Sequence, residues 1–176
     1  MPKFLDFEND LFNRAKTLVD NVPLADSRLD YAVTEVPDGD TIILNIAPQS
    51  SLVVRLGGID APESRQDFGV ICQKALEKEV LGKSVRLRRQ SKPPSFGRVL
   101  AEVFVAGKSV NLSLISKGCV WVVDDKKFPP PKEYHLAMSR AKKAKAGLWA
   151  AKKPEAPWFF RKKKPTNESG LEVEEE

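Results

Sequence analysis

The sequence predicts a small closed β-barrel with about three helices around it, an α+β fold, preceded by one more helix and followed by a charged tail. Two observations carry this reading. From Tyr31 to Val110 apolar residues recur at every second position in five short runs, as they do in half-buried strands. Helical spacing replaces that alternation between the third and fourth runs and again after the fifth. A sheet of five short strands leaves edges open to pairing, and closing into a barrel hides them.

Residues 6–20, "DFENDLFNRAKTLVD", set Phe7, Leu11, Phe12, Ala15 and Leu18 at helical spacing and predict a short amphipathic helix; "NVPLADS" connects it onward. "YAVTEV", "TIILNIA" and "SLVVRLGGI" are three strands of a meander, with "PDGD" and "PQS" as the turns between them. The stretch 68–81, "FGVICQKALEKEVL", reads as a helix with Val70, Ile71, Ala75, Leu76 and Val80 on its docking side and Gly82 as its stop. "KSVRLRRQ" returns to alternation, with Val85 and Leu87 inward and Arg86 and Arg88 outward. "SKPPSFG" is a loop and "RVLAEVFVAGKSV" a fifth strand ending in a turn. "VNLSLISKG" is a short helix closed by Gly118, and "CVWVV" a short apolar strand. "PPPKEYHLAMSRAKKAKAGLW" starts a helix at its prolines and docks Tyr134, Leu136, Met138 and Ala141. The assignment is therefore a helical extension over 1–30, a barrel domain over 31–150 and a charged, flexible tail over 151–176, with little regular structure after about 160. Barrels of this strand count and size are of the OB type, which commonly presents a nucleic-acid-binding face.

At 176 residues the chain suits one domain with a real core. No apolar run reaches the roughly 20 residues of a membrane span, so no membrane partner is expected. The opening "MPKFLDFENDLFNRAK" places Asp6, Glu8 and Asp10 where a secretion signal needs apolar residues, and a cytoplasmic location is expected. Cys72 and Cys119, 47 positions apart, form neither a metal-binding spacing nor a disulfide framework and read as buried free thiols. Net charge is +5, but residues 41–164 hold 25 Lys and Arg against 10 Asp and Glu. An excess of 15 in that stretch attracts and steers a polyanion.

Four features fall at strand ends or loops of the expected barrel: "PDGDT" (37–41), Arg55, "IDAPE" (59–63) and "FGR" (96–98). Asp38 and Gly39 are first of all a hairpin turn, which leaves Asp40 unexplained. Arg55 lies mid-strand among Val and Leu, where it must pair with a carboxylate or face a site. Asp40 and Asp60 offer charged oxygens to a hard divalent cation such as Ca²⁺. Such an ion offsets phosphate charge and organises the attacking water. Arg55 and Arg98 can grip non-bridging phosphate oxygens and stabilise a pentacovalent transition state. Glu63 can accept a proton from water, although a glutamate of ordinary pKa is a weak base at neutral pH, so the ion and the arginines must supply most of the acceleration. Phe96, Arg86 and Arg88 are the further candidates for nucleic-acid contact.

The exclusions agree. His135, the only histidine, cannot support a two-histidine ribonuclease reaction and reads as a surface or core residue. No GxxxxGK[ST] loop is present, so no nucleotide cofactor is expected. Paired carboxylates also serve glycosidases, but two arginines in a basic field favour phosphate over sugar.

"DGDT", "RLGGIDAPE", "FGR" and "KKAKAGLW" occur in the order and at roughly the spacing of the staphylococcal-type thermonucleases, and over about residues 31–149 the chain resembles that SNase-like family. The resemblance implies an OB-fold barrel with three helices and Ca²⁺-dependent hydrolysis of DNA and RNA, with little sequence specificity and 3′-phosphate ends. It implies Asp40 and Asp60 as Ca²⁺ carboxylates, Ala61 as a ligand through its backbone carbonyl, Glu63 as general base, and Arg55 and Arg98 as phosphate-binding arginines of a monomeric enzyme. This chain departs from the type member at Ala61, where a Thr is usual, at Ser95-Phe96, where Lys-Tyr is usual, and at Asp124-Asp125, where tyrosines lie near the base pocket. The alternative is a non-catalytic OB-fold module that binds nucleic acid or protein. Such a module has no need of all five acid and arginine positions, and all five are present.

Overall fold

A computed structural model of the chain describes residues 30–47, 50–89, 98–126 and 129–163. The helix expected over 6–20, Phe96 and the acidic end of the tail lie outside them. The elements are β1 (Tyr31–Asp38), β2 (Thr41–Ala47), β3 (Ser50–Leu56), β4 (Ile59–Asp60), α1 (Gly69–Val80), β5 (Ser84–Arg89), β6 (Val99–Val105), β7 (Lys108–Ser109), α2 (Val110–Ser116), β8 (Trp121–Val122), α3 (Lys132–Lys143), a 3-10 turn (Gly147–Ala150) and α4 (Pro157–Phe160).

The five long strands run side by side in the order β3-β2-β1-β5-β6, and β3 pairs with β6 to close the barrel. That closing pair is parallel, with Arg55 opposite Leu100, while the other ladders are antiparallel. This is the closed five-stranded OB-type barrel that the alternation predicts. β4 and β8 form a separate two-stranded ladder that sets Asp60 opposite Trp121.

Alternation works as expected on β5, where Val85 and Leu87 are buried and Arg86 and Arg88 exposed. Ile42, Leu44, Leu52, Val54, Leu56, Val99 and Val103 fill the barrel, and Leu76, Val80, Leu114, Ile115 and Tyr134 cover it from the helices. Asn111 is fully buried and ties β6 to the turn after β3: its Oδ1 accepts the Val103 N–H at 3.0 Å and its Nδ2 donates to Gly57 O at 3.0 Å.

Two helices dock with Leu76, Val80, Tyr134 and Ala141 buried as expected, and differ from expectation at the edges of those faces. α1 buries Gly69, Cys72, Leu76 and Val80, leaving Val70 and Ile71 exposed. α3 buries Tyr134, Ala137 and Ala141 with Met138 partly covered, leaving Leu136 exposed. α1 packs on β1 of the barrel and α3 on α2 and β8, and in both the exposed large residues lie one position from the buried stripe.

Residues 151–163 are anchored, while the rest of the expected tail lies outside the described residues. Ala156 and Pro157 are buried, and Pro157 opens α4 at a position where its missing N–H is harmless. Trp158 meets Trp121 edge-on at 5.6 Å, and Trp121 meets Trp149 at 4.4 Å. An apolar anchor among lysines, invisible to composition, holds this segment against Trp121 of the β4–β8 ladder.

Candidate active site

The hairpin between β1 and β2 is closed by a side chain: Asp38 Oδ1 accepts the Asp40 N–H at 2.9 Å. A Cβ on Gly39 would lie 2.7 Å from the Ala61 Cβ and 3.2 Å from the Cys72 Cβ, so only glycine lets this turn approach the 59–61 segment. The approach carries Asp40 inward, where it is 5 % exposed and its Oδ2 accepts the Ala61 N–H at 2.6 Å. Burial pushes the Asp40 carboxyl up to about 7, against the opposing pull of the Arg55 charge.

Arg55 is the hub of the site. Its Nη1 lies 2.9 Å from Asp40 Oδ2 and its Nη2 2.7 Å from Asp60 Oδ1. Nη1 also donates to the carbonyls of Leu56 at 3.2 Å and Ile59 at 3.0 Å. The mid-strand arginine therefore both pairs with carboxylates and faces a site. A guanidinium fixed at four acceptors holds two aspartates from different loops together.

Glu63 lies beyond Pro62 on the turn that leads into α1, and a Cβ on Gly69 would fall 1.9 Å from Glu63 O. Gln66 braces the turn, accepting the Glu63 N–H at 3.2 Å and donating to Glu155 O at 2.6 Å. Asp38, Asp40, Arg55, Asp60, Ala61, Pro62, Glu63, Arg98 and Arg161 line one cleft of about 330 Å³. The structure thus brings together Asp40, Arg55, Asp60, Ala61, Glu63 and Arg98, with Arg98 exposed at the start of β6. Phe96 lies outside the described residues. Arg86 and Arg88 line a different cleft, of about 350 Å³; Arg86 pairs with Asp30 at 3.4 Å, and Arg88 pairs with Glu102 and lies 5.4 Å from the Phe104 ring centroid.

Sequence reasoning misses Arg161. Its Nη1 donates to Glu63 Oε1 at 2.6 Å and Asp60 Oδ1 at 3.3 Å, and its Nη2 to Asp60 Oδ2 at 2.7 Å. The signal was "PWFFR", apolar bulk inside a lysine-rich stretch followed by one arginine. Among the described residues no group of three or more His, Cys, Asp or Glu side chains is gathered into a metal cage. The donor set is two aspartates held on either side of one guanidinium, and it suits a hard cation that completes its shell with carbonyl oxygen and water.

Other groups are structural. Cys72 and Cys119 are buried and free, and the hydrogen bond they share, with burial, pushes the Cys72 thiol up. His135 lies 2.9 Å from Asp124 Oδ1, well exposed. No helix among the described residues is long and apolar enough to cross a membrane.

A family model described as staphylococcal nuclease homologue matches residues 53–151, a span that holds Arg55, Asp60, Glu63 and Arg98 and stops before Arg161. An uncharacterized endonuclease of Haemophilus influenzae is 34% identical over 135 residues, covering 77% of this chain and 74% of that protein. An uncharacterized endonuclease of Escherichia coli is 32% identical over 133 residues, 75% of this chain and 84% of its own length. Staphylococcal-like nuclease CAN1 of Arabidopsis thaliana is 34% identical over 113 residues, which are 63% of this chain and 33% of the plant protein. With its barrel, its acid–arginine cleft and these matches over most of its length, the chain belongs to the family of staphylococcal nuclease homologues.

Proposed function

We propose that the protein is a Ca²⁺-dependent nuclease that hydrolyses phosphodiester bonds in DNA and RNA with little sequence specificity, leaving 3′-phosphate ends. The observation that carries this reading is Arg55 gripping Asp40 with one nitrogen and Asp60 with the other in a cleft that Glu63 and Arg98 also line. Asp40 and Asp60 would hold the ion, with the Ala61 carbonyl as a third donor. When bound, the ion supplies Lewis acidity and neutralises phosphate charge.

The protein's own groups do the rest. Arg98, exposed on the cleft wall, and Arg55, fixed at its floor, bind the non-bridging oxygens, whose charge grows in the transition state. Glu63 accepts the proton of the attacking water at its carboxylate. Burial of Asp40 makes a proton its competitor for the ion near neutral pH, so ion binding and proton release are linked there. Relatives named endonuclease and staphylococcal-like nuclease support this chemistry.

The test is degradation of plasmid DNA, single-stranded DNA and RNA, with Ca²⁺, Mg²⁺ and Mn²⁺ compared side by side. Cleavage in millimolar Ca²⁺ that stops on adding EDTA is expected. Cleavage undiminished by EDTA would remove Asp40 and Asp60 from their role.

A further inference from the structure

Asp60 has no idle oxygen. Oδ1 accepts from Arg55 and Arg161, and Oδ2 accepts from Arg161 Nη2 at 2.7 Å. The same Arg161 guanidinium reaches Glu63 Oε1 at 2.6 Å, so one cation bridges the two acidic side chains of the 60–63 segment. Arg161 is also presented by a built support rather than a loose tail. Its own N–H caps α4 on Pro157 O at 2.9 Å. Trp158, three residues back, packs edge-on against Trp121, the residue opposite Asp60 in the β4–β8 ladder. Gln66 links Glu155 O to the Glu63 N–H, tying the segment that carries Arg161 to the loop that carries Glu63.

We infer that Arg161 is a further residue of the active site, an internal counter-cation to Asp60 and Glu63 that must yield Asp60 before a divalent ion binds. The inference rests on the reading of Asp60 as an ion ligand. Two carboxylates gathered on one guanidinium repel each other, and the bridging guanidinium relieves that repulsion. The same positive charge opposes an arriving divalent ion, because like charges at a few ångströms repel strongly in a partly desolvated site. Arg161 therefore raises the ion concentration at which the site fills. It acts through Asp60 and Glu63 and is a positioning residue.

The experiment is calorimetric titration of the full-length protein with Ca²⁺, comparing wild type, Arg161→Gln, Arg161→Lys and Asp60→Asn, each checked for an unchanged melting curve in EDTA-treated buffer containing no added ion, or for a folded circular dichroism spectrum where the melt shifts. Arg161→Gln should bind Ca²⁺ at least about tenfold more tightly than wild type, Arg161→Lys should lie between the two, and Asp60→Asn should abolish binding. A purely structural arginine would give the opposite sign, since loosening the site weakens binding. Unchanged or weaker Ca²⁺ affinity in folded Arg161→Gln, with Asp60→Asn still abolishing binding, overturns the role of Arg161 alone. Ca²⁺ binding that survives Asp60→Asn overturns the ion-site reading and this inference with it. Should Arg161→Gln not fold, the wild type decides: saturating Ca²⁺ should shift and sharpen the Arg161 side-chain N–H signals in an NMR spectrum, assigned by their loss in Arg161→Lys, and signals that stay unmoved contradict release.

Discussion

Asp40 is the residue at which the cost of the site is most visible. Its carboxyl is buried, and its pKa is pushed up to about 7 chiefly by that burial, so below that pH the fold favours its protonated form. The native state then binds a proton more readily than the unfolded chain, whose aspartates titrate near ~3.9. The stability this proton contributes is present at low pH and is lost as pH rises through about 7. In EDTA, denaturant unfolding at pH 5 and pH 8 should show wild type losing on the order of 2 kcal/mol more than Asp40→Asn, which cannot titrate. Equal losses in the two proteins would contradict a buried, proton-holding Asp40. Arg98→Ala and Glu63→Gln test the chemistry itself. Each should lower turnover on single-stranded DNA at least about a hundredfold in a folded protein, as the loss of one transition-state contact does. A tenfold effect or less would reassign them. Most of these residues were legible in the sequence because each breaks a local rule: a charge amid strand apolars at Arg55, and carboxylates past a turn at Asp40 and Asp60. Arg161 breaks none, standing beside Lys162 and Lys163 as one basic residue among several, and only the buried Ala156 and Pro157 reveal that it is aimed.

At the scale of elements, the cleft depends on how closely two turns approach. The β1–β2 turn meets the 59–61 segment through Gly39, whose hydrogen stands where a methyl would press 2.7 Å from the Ala61 Cβ. Gly39→Ala must push the turn away, lengthening the 2.6 Å bond from Ala61 N–H to Asp40 Oδ2 and spreading the two aspartates. The expected outcome is a protein that still folds, with a melting temperature lowered by several degrees and Ca²⁺ affinity weakened at least about tenfold, since overpacking typically costs about 1–3 kcal/mol. Wild-type Ca²⁺ affinity in this variant would show that the approach does not set the site. Strands were legible because alternation over a two-residue period fixes both element and face, as at Val85, Arg86, Leu87 and Arg88. Helix faces were less so. Leu76, Val80, Tyr134 and Ala141 dock as the spacing predicts, but Val70, Ile71 and Leu136 stay exposed while their neighbours Gly69, Cys72 and Ala137 are buried, since apolar spacing alone does not fix which edge of a stripe meets its neighbour.

At the scale of the molecule, the fold turns one local excess of charge into a site. Between residues 41 and 164 the chain carries 25 basic against 10 acidic side chains. Three of those ten acids, with Asp40 just ahead of the stretch, are not spread over the surface: Asp60 and Glu63 line the cleft and Glu102 is buried against Arg88 and Ser109. In the function proposed above, the basic exterior draws in a polyanion and the acidic floor of the cleft would give a divalent cation its place beside the phosphate. Barrel closure makes this possible, since the parallel β3–β6 pair sets Arg55 on one wall and the start of β6, with Arg98, on the next. Closure was legible from five short strands, but the packing of 151–163 was not, because its anchor is three apolar residues in a stretch whose average composition is that of a solvated tail. A crystal structure of the 176-residue protein with Ca²⁺ and a bound nucleotide decides whether these side chains act together. The expected result is one ion on Asp40 and Asp60, with the nucleotide phosphate between it and the guanidinium groups of Arg55 and Arg98. An ion bound elsewhere, or a phosphate that touches neither arginine, would contradict the account.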